Sequence, residues 1–295
     1  MRVAITGGSG FVGSHTARAL LGAGHEVVLA FRGTRRVTPR DGLSIARADV
    51  VDGHGLTEAF AGCDAVVHLV AIIREKGKQT FDSVIRRGTE NVVSAAAAAG
   101  IGHLVYVSAI GADPDPRFPY HYSKWLAEQA VRISGIPFTI LRPSLIFGPG
   151  DGFFTTLRGL VRYSIPVLPV AGDGGALFQP ISVDDVVRCI TISLERGPAL
   201  RQIEIGGPEQ LTYDEIIDVI HDAIGAGMRI KAHIPVAALM PVAAVMDRVL
   251  PNPPVTPAQL RMLARHNITR IDAVPTAFGF APSSFSASAG YLNES

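Results

Sequence analysis

The apolar positions of this chain alternate between two rhythms along its first half. Short runs of β-branched and small apolar residues occur at "RVAIT" (2–6), "EVVLAF" (26–31), within "LSIARADV" ending near Asp49, and at "DAVVHLVA" (64–71), "HLVYVSA" (103–109) and "FTILRPS" (138–144). These predict six strands. Between them apolar side chains recur on one face at helical spacing, over residues 11–23, over an alanine-rich stretch 80–99, and over about 120–134. Gly100 and Gly135 stand at the ends of the last two, where a glycine readily takes the left-handed turn that stops a helix. Strand and helix alternating at this spacing predict parallel strands joined by crossover helices, an α/β fold with a doubly wound sheet.

Beyond residue 148 the rhythm loosens. "FGPGDGFF" and "PVLPVAGDGG" are rich in turn formers. "QPISVDDVVRCITISLE" (179–195) starts like a capped helix, with Ser182 at the N-cap and Asp184 and Asp185 in the first turn. "RQIEIGG" (201–207) reads as one more sheet strand, and the tail from 208 carries two or three helices and several prolines. The expected organisation is a Rossmann-type dinucleotide-binding domain over 1–150, to which 178–207 returns. A smaller, mainly helical C-terminal lobe takes 151–177 and 208–295.

Residues 233–250, "HIPVAALMPVAAVMDRVL", read as an apolar helix whose only acid and base are Asp247 and Arg248 near its end. A surface helix ordinarily shows a polar face. Burial within the lobe is the plainer expectation. The alternative is an exposed patch for a protein partner or a peripheral membrane contact. The most apolar part, 234–246, is shorter than the roughly 20 residues of a spanning helix and is interrupted by Pro235 and Pro241, so no transmembrane segment is expected.

Composition narrows the function classes. The 295 residues carry a formal net charge of +1 with the signs well mixed, which argues against a nucleic-acid partner. Cys63 and Cys189 are far apart, and the histidines show no pair at ligand spacing, so no metal is expected. The first apolar run is strand-like and ends in glycines, unlike a secretion leader. The expectation is a cytoplasmic protein, at most peripheral to a membrane.

The candidate chemistry begins at "TGGSGFVG" (6–13). Glycines 7, 10 and 13 between a strand and a helix allow a tight turn, close approach of backbone to a diphosphate, and close helix packing. The loop residues Gly7, Ser9, Gly10, Phe11, Val12 and Gly13 are the expected cradle, with the diphosphate at the helix N-terminus. NAD selection usually places an acid at the end of strand two, to bind the ribose hydroxyls. That place reads "LAFRGTRR", with no acid and with Arg32, Arg35 and Arg36, whose forked donors match a 2′-phosphate. The expected cofactor is therefore NADP(H).

In "FPYHYSKWLAEQ", Tyr120 stands four residues before Lys124, so both share one face of a helix. A nearby ammonium favours a phenolate, which makes Tyr120 a candidate acid/base for a carbonyl–alcohol pair. Ser108, at the end of the fifth strand, is a third candidate catalytic group. His68 lies in an apolar strand and reads as a packed histidine.

With these motifs, and with "DVVD", "GTENVVSAA", "VYVSA", "LRPSLIFGPGD" and "SVDDVV", the chain resembles the short-chain dehydrogenase/reductase superfamily, of the extended or atypical kind, over about its first 190 residues. Within it, "LRPSLIFGPGDGFF" and "VTPAQLRMLARHN…FGFAPSSF" most resemble the NAD(P)H-binding proteins related to the 39 kDa accessory subunit of respiratory complex I. The resemblance implies that Asp49 and Val50 border the adenine, that Leu69, Val70 and Ala71 line the cofactor, and that Pro143 and Ser144 lie beside the nicotinamide. It also gives Tyr120 and Lys124 the places of the catalytic dyad. There are two departures. Ile110 stands where sugar-nucleotide epimerases and dehydratases carry a serine or threonine, and the dehydratase acidic pair is absent from "SAIGADPD". The expectation is an NADP(H)-dependent oxidoreductase acting on a small carbonyl or hydroxyl group of an unidentified substrate. The alternative is a non-catalytic NADPH-binding structural or sensor protein, with a sugar-nucleotide epimerase third.

Overall fold

The computed structural model describes residues 1–33, 38–39, 41–199, 201–250, 253 and 255–293. In chain order the elements are β1 (Arg2–Thr6), α1 (Phe11–Gly22), β2 (Glu26–Phe31), β3 (Leu43–Arg47), α2 (Leu56–Phe60), β4 (Ala65–His68), α3 (Arg87–Ala98), β5 (His103–Val107), α4 (Pro119–Arg132) and β6 (Phe138–Pro143). They continue with β7 (Ile146–Phe147), α5 (Phe153–Tyr163), β8 (Val167–Ala171), β9 (Leu177–Phe178), β10 (Ile181–Ser182), α6 (Val183–Arg196) and β11 (Arg201–Ile205). The tail holds β12 (Leu211–Thr212), α7 (Tyr213–Ala223), β13 (Ile230–Ile234), α8 (Val236–Val249), α9 (Pro257–Leu263), α10 (Ala273–Phe278) and α11 (Phe285–Ser288).

The chain divides into two compact units. One is Met1–Pro143 with Val183–Glu204, and the other is Ser144–Ser182 with Ile205–Ser295. The expected boundaries stood at 150, 178 and 207. The segments 144–150, 178–182 and 205–207 fall in the second unit, where Ile146 pairs with Ile181 and Phe147 with Ser182.

The first unit is built on a seven-stranded sheet of order β11-β6-β5-β4-β1-β2-β3. The pairings from β6 through β3 are all parallel. Crossover helices cover both faces of such a sheet, so its strands read as unbroken apolar runs instead of alternating ones. Val66, Val67, Leu104 and Val105 are accordingly sealed from solvent. Gly100 and Gly135 have φ near +70° just past α3 and α4, as expected of helix stops. The helix expected over 80–99 is in two parts, a π-helical turn over Asp82–Arg86 followed by α3. Pro119 opens α4, where its missing N–H costs nothing.

The second unit packs α5, α7 and α11 with β8 around Phe147, Phe154, Leu168, Ile216 and Phe285. The ring centroids of Phe154 and Phe285 lie 4.7 Å apart. Asp151 caps α5 by accepting the Phe154 N–H at 2.8 Å and receives the Tyr291 hydroxyl at 2.5 Å. The expectation that α8 is buried on several sides is overturned. Only Ala243 of this helix is buried, while Val242, Val245 and Val249 face solvent. The helix packs on α9, and one such contact leaves most of its circumference open. No helix among the described residues is long and apolar enough to cross a membrane.

Candidate active site

β1 delivers the chain into the glycine loop, and three contacts fix the loop. Gly7 has φ +77°, a conformation that a side chain disfavours. The Gly10 N–H donates to the Gly7 carbonyl at 3.0 Å. A Cβ on Gly13 would lie 2.2 Å from the Gly7 oxygen and 2.6 Å from the Gly8 Cα, so the first turn of α1 sits directly on the loop backbone. A Cβ on Gly7 would come within 3.1 Å of the Leu69 carbonyl carbon and the Val70 nitrogen, which closes the segment after β4 against the same loop. Ala71 follows in an exposed position. α1 begins at Phe11 with no side-chain cap and no acid in its first turn, and Ser9, Phe11 and Val12 are only partly buried. A diphosphate fits this cradle, because backbone can approach where side chains are excluded and the first helical N–H groups point outward.

Arg32 follows β2 in an exposed position. Arg35 and Arg36 lie outside the described residues. Asp49 accepts the Val51 N–H at 2.9 Å, a local turn that shapes the loop after β3. Val50 is buried, and the Asn91 side chain donates to its carbonyl at 2.8 Å. Asn91 and Gly88, whose close packing on Val50 would admit no bulkier residue without a shift, were not singled out in the sequence. Both lie in "RGTEN", one turn apart on α3.

Tyr120 and Lys124 occupy successive turns of α4. The Tyr120 ring is partly buried between Phe81, at 5.8 Å, and His121, at 5.3 Å. Lys124 is 2% exposed, and its ammonium donates to the Val107 carbonyl at 2.8 Å and lies 5.0 Å from the Tyr106 ring centre. Burial pulls Lys124 down to about 7, although Glu128 one turn away works in the opposite direction. Burial likewise pushes the Tyr120 phenol up to about 12, contrary to the lowering expected from an ammonium one turn away. At neutral pH the phenol therefore holds its proton and is set to donate it.

Ser108 is turned elsewhere. Its hydroxyl donates to Glu128 Oε1 at 2.5 Å, and Glu128 is fully buried in a two-bond clamp with Arg142, with both bonds at 2.7 Å. The hydroxyl thus serves a buried ion pair that ties α4 to β6. Ile110 is buried, and its N–H donates to the carbonyl of Pro143, the last residue of β6. Ser144 belongs to the second unit, where its hydroxyl bonds Asn267 Oδ1 at 2.6 Å and the Asn267 carbonyl at 2.9 Å.

Behind the tyrosine–lysine pair lies a buried polar chain. The Thr89 hydroxyl donates to the Ile85 carbonyl at 2.6 Å and accepts from His68 Nε2 at 3.0 Å. His68 Nδ1 then accepts from the Thr6 hydroxyl at 2.6 Å. This fixes a neutral imidazole, and burial, seconded by the Lys124 charge, holds it down to about 3. The ring stacks on Tyr106 at 5.5 Å. His68 is therefore a structural histidine, as its apolar strand suggested. Among the described residues no cluster of three His, Cys, Asp or Glu could hold a metal ion.

The model of the NAD dependent epimerase/dehydratase family matches residues 3–206. The chain belongs to that family. This places it among the extended short-chain dehydrogenases/reductases, a group of NAD(P)-dependent oxidoreductases. The chain is 28% identical over 317 residues to a 2-alkyl-3-oxoalkanoate reductase of Stenotrophomonas maltophilia, an alignment covering 96% of this chain and 95% of that one. It is 27% identical over 249 residues to the mitochondrial NADH dehydrogenase [ubiquinone] 1 alpha subcomplex subunit 9 of Arabidopsis thaliana, covering 80% of this chain and 61% of that one. Its fold is similar to that of the UDP-glucose 4-epimerase of Thermus thermophilus, solved with NAD. The TM-score is 0.77 at 22% identity, over 100% of this chain and 98% of that one.

Proposed function

We propose that the protein is an NADP(H)-dependent oxidoreductase that interconverts a small carbonyl and its alcohol, with Tyr120 as the acid/base. The observation that carries this reading is the Tyr120–Lys124 pair on one face of α4, with Lys124 buried and its phenol partner protonated at neutral pH. When bound, the cofactor supplies the hydride that goes to the carbonyl carbon. The Tyr120 hydroxyl gives its proton to the carbonyl oxygen as the alcohol forms. In the reverse direction the tyrosine must first lose that proton, so alcohol oxidation gains with rising pH while reduction does not need it. Lys124, one turn from the phenol and anchored on the Val107 carbonyl, can serve the ribose hydroxyls. The glycine loop seats the diphosphate, and Asp49 with Val50 borders the adenine. The acid-free end of β2, with Arg32 exposed, favours a 2′-phosphate. The protein is read as cytoplasmic.

A second reading is a non-catalytic NADPH-binding protein. It is favoured by Ile110, buried where the family's epimerases and dehydratases carry a hydroxyl, and by the commitment of Ser108 to Glu128. A sugar-nucleotide epimerase has less support for the same reason.

The test is to follow nicotinamide absorbance with NADPH or NADH and a panel of carbonyl compounds. Tyr120→Phe is expected to lower turnover by about 10²–10⁴-fold while NADPH affinity holds. Arg32→Ala with Arg36→Ala is expected to weaken NADPH about ten- to a hundredfold and to leave NADH unchanged. NADPH binding without turnover of any carbonyl favours the non-catalytic reading. Equal affinity for NADPH and NADH overturns the cofactor choice.

A further inference from the structure

We propose that the rim of the second unit around the start of β8 and β13 docks on an anionic lipid surface. In this parallel pair Val167 is level with Ile230, Pro169 with Ala232, and Ala171 with Ile234, so all six side chains share one side. On the other side Leu168 and Val170 are buried in the core. Lys231 and His233 turn there too, to Asp218 at 2.7 Å and Asp214 at 2.9 Å on α7. The outward side is thus apolar at every position.

The loops leading into the pair extend this surface. Tyr163 is 80% exposed, Ile165 70%, Met228 88%, Ile230 62% and Val167 46%. They are held as one patch. The Ile230 N–H donates to the Pro166 carbonyl at 2.9 Å, and the Arg229 guanidinium reaches the carbonyls of Val161 and Arg162. α8 follows β13 after one residue and adds Val242, Val245 and Val249. The contact given as the alternative for 233–250 thereby gains a second, larger element.

Charge decides the occupant. The strands and their leading loops, 152–172 and 224–235, contain no aspartate or glutamate. Of their cations, Lys231 turns inward to Asp218, Arg158 reaches the Leu292 carbonyl, and Arg162 and Arg229 remain at the rim, while α8 adds both Asp247 and Arg248. Arg162 makes no ion pair among the described residues, and the Arg229 guanidinium bonds only backbone carbonyls. Apolar tips with an exposed tyrosine, rimmed by Arg162 and Arg229 and with no carboxylate in the strands or their leading loops, match the acyl boundary and headgroups of an anionic bilayer. A second copy of the chain would fit poorly. A two-fold contact sets the same patch against itself, and Arg162 and Arg229 would then meet cations with no acid in the strands or leading loops to answer them.

The experiment is flotation of the full chain with vesicles of phosphatidylcholine, alone or mixed with phosphatidylglycerol. The protein is expected to float with the mixed vesicles only and to be released by salt. Met228→Glu and Ile165→Glu are each expected to abolish flotation. Arg162→Glu should weaken it about fivefold or more. All three should leave the thermal midpoint and NADPH binding unchanged. Failure to float with either vesicle overturns the proposal, as does equal flotation with both. A dimer in light scattering that Met228→Glu dissolves assigns the face to a second copy and overturns it too.

Discussion

β4 beside β5 in the main sheet and β8 beside β13 in the second unit are both parallel pairs rich in apolar residues, although Lys231 and His233 alternate with them in β13. In the first pair Val66, Val67, Leu104 and Val105 are shut away from solvent, whereas in the second Val167 and Ile230 stand in it. A parallel pair is normally closed on both faces by its crossover helices. β4 and β5 have such cover, with α3 packed on β4 and α6 on β5. Of the two helices between β8 and β13, α6 belongs to the first unit, and α7 is spent on the inner side through Asp214 and Asp218. Apolar sequence therefore reports the capacity to be covered, and the connections decide whether a cover exists.

The sharpest way to break this comparison is to place one charge in each pair. Val67→Asp is expected to cost about 4 kcal/mol or more, because a carboxylate would be sealed without a partner. Ile230→Asp should fall within about 0.5 kcal/mol of the parent chain. Urea unfolding of the two variants reads the difference, and equal losses would mean that the second face is covered in solution.

A smaller effect tests whether the closed unit tolerates charge only when it is paired. Glu128→Ala removes the partner of Arg142 and the acceptor of Ser108, and a loss of about 3–5 kcal/mol is expected in the same assay. A change below about 1 kcal/mol would show that water reaches the clamp.

The smallest effect, taken per pH unit, concerns Lys124, buried in the same helix with no ion pair among the described residues. Its pKa is lowered to about 7 when folded, against 10.5 for the free side chain. Between these values the unfolded chain binds the proton and the folded chain does not, so stability rises with pH across that window. Below the window the cost of burying the ammonium is fully present. The rise is at most about 1.4 kcal/mol per pH unit. Unfolding midpoints at several pH values should show this slope in the parent chain and lack it in Lys124→Met. Parallel slopes would mean that Lys124 stays charged.

Local signals were legible in the sequence. The glycine loop, the strand runs and the helix stops each depend on residues a few positions apart, and they lie where the spacing put them. The Tyr120–Lys124 register is one helical turn and needs no tertiary knowledge. The partner of Ser108 was not legible, because Glu128 is twenty residues away across a strand–helix packing. Nor was the pairing of β7 with β10, two residues each, which assigns residues 144–150 and 178–182 to the second unit. The openness of α8 was hidden for the reason given for β13. A hydrophobic pattern carries no record of which neighbours arrive.

Thr6, His68 and Thr89 come from β1, β4 and α3, yet a single imidazole spends both its nitrogens on the two hydroxyls. Changing Thr6 to valine would strand Nδ1 in a dry interior, and changing Thr89 would strand the other nitrogen, each at about 1–3 kcal/mol. Replacing His68 with leucine would leave the Thr6 hydroxyl without its acceptor and the Thr89 hydroxyl without its donor. Among related chains these three positions should therefore vary together, moving between an all-polar and an all-apolar set, with mixed sets rare.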